Sequence, residues 1–140
     1  MLNKLNKRRG GFTLVEIMIV VAIIALLAAI AVPSFLRARK RSQATSTLET
    51  LRMIDGAKDQ YAIENGKGAS VTPTQPELAP YVKTGTKLYT QLLAGNASDA
   101  LNAAITIGPI DTPPKVDTGT KTALADALGT NANEFWGAYQ

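Results

Sequence analysis

The chain lacks two residue types altogether, because its 140 residues include no cysteine and no histidine. Without cysteine, no disulfide can stabilise the fold. Nucleophilic sites of the Ser-His-Asp or Cys-His type and the usual zinc sites are excluded, since they need these side chains. No arrangement of the carboxylates and lysines points to a reaction either. We therefore expect no enzymatic activity, no cofactor and no metal site.

The basic residues are unevenly distributed along the chain. There are 15 lysines and arginines against 11 aspartates and glutamates, a net charge of +4. From Ser42 onward, 7 basic residues stand against 10 acidic ones. Without the four basic residues that precede Gly10, the chain has no net charge; they are Lys4, Lys7, Arg8 and Arg9. The basic character thus belongs to the N-terminus and does not indicate nucleic-acid binding.

A long hydrophobic segment follows these basic residues. Residues 17–32 are 16 consecutive apolar residues, with no glycine or proline among them. With the apolar residues on both sides, the segment covers about 25 positions, at 12–36. At ~1.5 Å per residue, a helix of this length crosses the ~30 Å hydrocarbon core of a bilayer. Because lipid offers the backbone no hydrogen-bond partners, we expect the segment to be helical.

Such a segment near the N-terminus has two ordinary interpretations. One is a secretory signal peptide, since the preceding residues are basic and Ala29-Ile30-Ala31 fits a small-x-small cleavage site. Cleavage after Ala31 would release an exported soluble binding protein. The other interpretation is a plain signal anchor. Basic residues flank the segment on both sides, so the positive-inside rule does not decide its orientation.

Glu16 is an acid inside this apolar segment. A carboxylate in a bilayer costs at least ~2.5 kcal/mol, and less where it reaches the interface from a helix end. The side chain could reach the interface and have no role. A functional role needs a positive partner, but the next basic residue, Arg37, lies about 31 Å further along a helix. Cleavage just before Phe12 would create a partner, because the new α-amino group then lies four residues from Glu16 or on a staggered neighbour.

The sequence around Glu16 closely resembles one known type of signal. Residues 8–35 read RRGGFTLVEIMIVVAIIALLAAIAVPSF and resemble the class III signal of type IV pilins and type II secretion pseudopilins. The resemblance implies that a prepilin peptidase cuts between Gly11 and Phe12 and methylates the new N-terminus at Phe12. It also implies that Thr13 and Glu16 act in filament assembly.

The same resemblance implies a structural filament subunit. The partners would be further copies of this chain in a helical filament, the prepilin peptidase, an inner-membrane assembly platform and, before assembly, the lipid bilayer. The protein would first be a single-pass protein of the bacterial inner membrane. It would then form part of a periplasmic or cell-surface filament.

Pro33 follows the apolar run and either ends the helix or, as we favour, kinks or loosens it. Helical periodicity resumes beyond it, since apolar residues between Ala44 and Tyr61 recur at spacings of three and four. The Asn65-Gly66 pair then predicts the end of the helix. The predicted organisation is a cleaved leader at 1–11, a helix at 12–65 whose parts are 12–36 and 37–65, and a globular domain at 66–140.

A second basic cluster follows the apolar segment and is called here the basic collar: Arg37, Arg39, Lys40 and Arg41. We interpret the collar as a binding surface for lipid headgroups before assembly, at ~1 kcal/mol per basic side chain on an anionic membrane. In a filament it could instead meet acidic groups on neighbouring subunits. Binding of nucleic acid is the less favoured interpretation.

The region after Gly66 is rich in proline and threonine, which predicts many loops. We expect a helical turn within 74–82, a strand at 104–107 and a short helix at 122–128. The aromatic residues within 134–139 should anchor the core, and the apolar face at 48–61 should support it. The predicted class is therefore α+β, a pilin-like long helix with a small domain of short strands and loops. Three aspartates have the chemistry of calcium ligands, but their spacing favours surface acids: Asp111, Asp117 and Asp126.

Overall fold

The computed structural model describes residues 11–140, and the chain divides into two units between Leu36 and Arg37. The predicted leader lies outside the described residues, except for Gly11. The first helix, α1, spans Leu14–Asn65 and has 52 residues. Its first part is the apolar segment, whose large side chains are all exposed.

α1 continues through Pro33 without a break. The alternative in which Pro33 ends the helix is therefore wrong. Proline has no backbone N–H and its ring crowds the preceding turn, so the Ala29 carbonyl lacks its usual helical donor. The expected kink at this position remains a prediction.

The second part of α1 ends at Asn65, as predicted, and buries one face, as the periodicity predicts. Lys67 N–H donates to the Ala62 carbonyl at 3.1 Å, and Gly66 between them has a φ of +59°. This left-handed glycine lets the chain turn back and satisfies a carbonyl at the helix end. The apolar residues predicted for the buried face are all buried: Ala44, Leu48, Leu51, Ile54, Ala57 and Tyr61.

Four short helices pack around that face. They are α2 at Gln75–Leu78, α3 at Lys87–Leu93, α4 at Thr118–Leu128 and α5 at Ala132–Trp136. Turns of 3-10 helix follow at Ala79–Tyr81, Gly129–Asn131 and Gly137–Tyr139. The helical turn within 74–82 and the helix over 122–128 are thus confirmed. α3 was not predicted from the sequence.

The expected short strands are not confirmed. Residues 11–140 contain two isolated β-bridges, Ser98 with Ala104 and Thr106 with Lys115, and no longer ladder. Thr106 and Lys115 exchange both backbone hydrogen bonds, at 3.2 and 2.8 Å. Pairing stops nearby because Pro109, Pro113 and Pro114 lack backbone donors. The described part of the chain is therefore mostly helical, and the α+β class is not confirmed beyond the long helix.

The core of the second unit lies between α1 and the short helices. Trp136 has an exposed fraction of 1 % and contacts Phe135 edge to face, with ring centroids 5.1 Å apart. The expectation of an aromatic anchor near the C-terminus is confirmed by this packing. Other buried members of the core are Leu78, Val82, Leu88, Leu92, Ile105, Ile107, Val116 and Leu124.

Candidate functional site

The start of α1 is a capping box built from Thr13 and Glu16. The Thr13 hydroxyl accepts from the backbone N–H of Glu16 at 3.2 Å. In return, Glu16 Oε2 accepts from the Thr13 backbone N–H at 2.8 Å and from the Thr13 hydroxyl at 2.7 Å. This arrangement satisfies donors that have no partner at a helix start, and it places a negative charge at the positive end of the helix dipole.

The capping box changes the account of Glu16. The sequence analysis predicts a positive partner for this carboxylate, whereas in the structure Thr13 supplies its donors. The spacing Thr-x-x-Glu before an apolar run is the sequence signature of a capping box, so the information was present. Before any cleavage at Phe12, the carboxylate thus has neutral donors within its own chain.

The residues predicted for cleavage lie next to this cap. Gly11, Phe12 and Thr13 precede the helix, which begins at Leu14. The Phe12 side chain is 83 % exposed. The predicted scissile bond between Gly11 and Phe12 therefore lies outside the hydrogen-bonded helix. A peptidase that needs an extended chain could reach it without unwinding α1.

Phe12 and Glu16 also line one surface cavity. It has a volume of about 330 Å³, and its other walls are apolar: Ile17, Ile19 and Val20. The cavity thus places a carboxylate beside a hydrophobic surface at the helix start. Such a surface can bind a helix end that carries both a charge and an apolar side chain.

The apolar segment offers a large contact surface. Over Leu14–Leu36 every residue is exposed, and among residues 11–140 α1 is the one helix long and apolar enough to cross a membrane. A signal sequence near the N-terminus would meet the same criterion, so length and composition do not separate the interpretations. An exposed apolar surface of this size marks a membrane or protein contact.

The basic collar is not uniform. Lys40 Nζ lies 3.5 Å from Asp126 Oδ2 in α4, so this lysine is paired within its own unit. Arg41 lines a cavity of about 480 Å³ at the junction of α4 and α5, together with Glu134 and Phe135. Arg37 and Arg39 are exposed. Headgroup binding by the basic collar stays a prediction.

Each of the three aspartates that could have bound calcium has its own hydrogen-bond or ion-pair partner. Asp117 caps α4 by accepting from the backbone N–H groups of Gly119 and Thr120, at 2.7 and 3.3 Å. Asp126 pairs with Lys40. Asp111 accepts from the Thr112 hydroxyl at 3.2 Å.

One buried polar residue, Lys58, was missed from the sequence. It lies at the spacings of Ile54 and Tyr61 and so falls on the buried face of α1. The periodicity contains this information, but a lysine within an apolar stripe is easily assigned to the surface.

The N-terminal part of the chain matches a known family. The sequence model described as "Prokaryotic N-terminal methylation motif" matches residues 6–32. No solved structure matches the chain.

Relatives of known description are of two kinds. The chain is 40% identical over 65 residues to "Type IV major pilin protein PilA" of Myxococcus xanthus, which covers 46% of this chain and 30% of the relative. It is 48% identical over 62 residues to "Type IV wide pilus major component PilA4" of Thermus thermophilus, covering 43% and 46%. It is 28% identical over 83 residues to "Type II secretion system core protein G" of Klebsiella pneumoniae, covering 55% and 59%.

The chain thus spans between about a third and three fifths of the length of these relatives. The family model covers the segment that contains Gly11, Phe12 and Glu16. The resemblance predicted from the sequence is thereby confirmed: this chain carries the N-terminal methylation motif of prepilins, and its relatives are type IV pilins and core G proteins of type II secretion systems.

Proposed function

We propose that this chain is the precursor of a structural subunit of a type IV pilus or a type II secretion pseudopilus. The observation that carries the proposal is the coincidence of three features at one helix start. The methylation motif, the capped acid Glu16 and the uncovered apolar surface of α1 lie on the same segment. A soluble binding protein needs neither the acid nor the motif.

Processing is proposed at the Gly11–Phe12 bond. Residues 1–11 would be a leader removed by a prepilin peptidase, which would then methylate the nitrogen of Phe12. The position of this bond outside α1 supports the proposal, because the peptidase would not have to open a helix. The mature chain would begin with the helix at 12–65, followed by the small domain at 66–140.

Two successive environments are proposed for the apolar segment. Before assembly it would span the inner membrane, where its backbone is satisfied within the helix and its side chains meet lipid. An assembly platform would then extract it, and the same surface would pack against the helices of other copies. Pro33 would let the helix adjust its direction in that packing.

Glu16 is proposed to gain a second partner during assembly. In the precursor, Thr13 supplies its donors, and both bonds go to Oε2. Among residues 11–140, no hydrogen bond to Oε1 is formed. After cleavage, the Phe12 amine of the same or a neighbouring copy could donate to Oε1. A charge pair that forms only in the correct stagger would fix the register between subunits.

The alternative of an exported soluble protein cleaved after Ala31 is less favoured. Residues 29–31 lie within α1, and the relatives are described as a type IV pilin and a core protein of a type II secretion system, not as secreted binding proteins. Intact-mass analysis of the protein from the membrane and soluble fractions of native cells distinguishes cleavage before Phe12 from cleavage after Ala31. We expect a chain that begins with N-methylated Phe12, whereas a chain that begins at Val32 and fractionates as soluble protein would contradict the proposal.

A further inference from the structure

The buried ammonium of Lys58 is a feature that filament assembly through α1 does not explain. The Lys58 side chain is fully buried, with an exposed fraction of 0 %. Burying a positive charge is costly unless it finds oxygen partners. The partners therefore show what this lysine organises.

Both hydrogen-bond acceptors of Lys58 belong to one distant loop. Its Nζ donates to the carbonyl of Ile107 at 3.1 Å and to the carbonyl of Thr112. Between these residues the chain turns sharply, with Gly108 at a φ of +68° and Thr112 N–H donating to the Pro109 carbonyl at 3.1 Å. The turn makes the two carbonyls converge on a single point, and the ammonium occupies that point.

Three carboxylates add negative charge around the same point. Burial lowers the pKa of Lys58, while the charges of Asp55, Asp59 and Asp111 raise it. Two of these acids are on α1 and the third is on the loop itself. The site therefore combines two carbonyls that converge on the ammonium with a negatively charged environment, which offsets the cost of burying a cation.

The other side of the loop is tied to the segment that follows α1. The N–H of Ile110 donates to the Val71 carbonyl at 3.0 Å, and the N–H of Asp111 donates to the Ala69 carbonyl at 3.1 Å. These two bonds depend on the loop keeping its shape. Without the ammonium, the carbonyls of Ile107 and Thr112 would face each other with no donor between them.

We propose that residues 107–112 form a cation site filled from within by the Lys58 ammonium, and that a small primary ammonium ion can take this position when the side chain is removed. Lysine suits this role because its ammonium is a compact charge with three donors that can rotate to meet the carbonyls. The Lys58 ammonium, which is part of the chain, thus stabilises the loop as a bound ion would.

The test is chemical rescue of Lys58→Ala in the full chain, in detergent micelles. The readout is amide hydrogen exchange at Ile110 and Asp111, with amides of α4 as the internal reference. We expect the variant to exchange about tenfold faster or more at these two amides, with little change in α4. Added n-propylammonium should restore slow exchange, because its propyl chain and ammonium replace the deleted atoms.

Two controls separate charge from packing. 1-Propanol fills the same space without a charge and should not restore slow exchange. Lys67→Ala removes an exposed lysine and should leave both amides unchanged. Exchange within about twofold of the wild type in Lys58→Ala would overturn the proposal. Failure of n-propylammonium to slow exchange in that variant would also overturn it, and so would equal rescue by propanol.

If Lys58→Ala does not fold, Lys58→Met gives the answer. Methionine keeps an apolar stem of similar length and removes only the charge and the donors. Faster exchange at Ile110 and Asp111 in this variant supports the proposal. Unchanged exchange at both amides overturns it.

Discussion

Glu16 and Thr13 satisfy each other at the start of the long helix, and both donors from Thr13 reach the same carboxylate oxygen of Glu16, at 2.8 and 2.7 Å. This contact is local and precedes any contact between subunits. It accounts for how an acid can be held at the end of an apolar helix before a partner subunit arrives. Glu16 thus has two separate roles. It accepts hydrogen bonds from the neutral donors of Thr13 in the cap, and it is proposed to form a charge pair between subunits.

The first prediction separates these two roles by substitution. Glu16→Gln keeps an oxygen that can accept from Thr13 but removes the charge, while Glu16→Val removes both. We expect both variants to be cleaved at Gly11–Phe12 and retained in the membrane, as intact mass and fractionation would show. Incorporation into sheared filaments should fall about tenfold or more in both, because the pair with the Phe12 amine needs a charge.

Thr13→Ser is the matched control for that experiment. It keeps both the hydroxyl of the cap and the charge of Glu16, so incorporation should stay near the wild-type level. Normal filaments from Glu16→Gln would contradict the charge pair. They would mean that capping alone accounts for the acid.

The second prediction concerns acid stability and Glu77. Hydrogen bonds from the side chain and backbone of Thr74, and from the Tyr61 hydroxyl, lower the pKa of Glu77 below 4.5. A carboxyl with a lower pKa in the folded state stabilises the fold above about pH 4.5 and loses that contribution as the pH falls through the folded pKa. Glu77→Gln should therefore be less stable at neutral pH and lose less stability on acidification.

Thermal unfolding of the full chain in detergent micelles, repeated from neutral pH down to about pH 2, measures this difference. Glu49→Gln is a suitable control, because Glu49 is exposed on α1 and accepts no hydrogen bond among residues 11–140. Parallel acid profiles for wild type and Glu77→Gln would contradict the prediction.

The third prediction concerns Trp136 in the core of the second unit. Its side chain is buried, and its indole N–H has no hydrogen-bond partner among residues 11–140. Trp136→Ala should cost about 3–5 kcal/mol of unfolding free energy, because it leaves a large cavity. Trp136→Phe should cost much less, since the ring is largely replaced and the unpartnered donor is removed.

Chemical denaturation followed by circular dichroism measures both variants. Leu93→Ala serves as the control, because Leu93 is 52 % exposed and should change stability by no more than about 0.5 kcal/mol. An equal loss for Trp136→Phe and Trp136→Ala would show that packing of the indole, rather than burial of an aromatic ring, determines the stability.

The N-terminal features could be predicted because their causes are local. The apolar run is expected to be helical because a bilayer offers its backbone no hydrogen-bond partners, and Thr-x-x-Glu determines how that helix begins. The periodicity from Ala44 to Tyr61 determines which face is buried, and the Asn65-Gly66 pair gave the correct end of the helix.

The short elements beyond Gly66 were harder because packing decides them. α3 has 7 residues, too few to be stable alone, and it forms where Leu88 and Leu92 are buried and Thr86 caps its start. Residues 104–107 have the alternation of a strand, and Ile105 and Ile107 do point into the core. The prolines that follow keep a partner strand from forming beside them.

The sequence by itself thus determined the apolar helix, the acid at its start, its buried face and the family that these features indicate. Only the tertiary structure decided what Lys58 binds, since its acceptors lie 49 and 54 residues away in the chain. It also decided that Lys40 pairs with Asp126 while Arg37 and Arg39 remain exposed. The physical reason is that helix formation and capping depend on neighbours within a turn, whereas a buried charge is satisfied by oxygens that the fold brings from elsewhere.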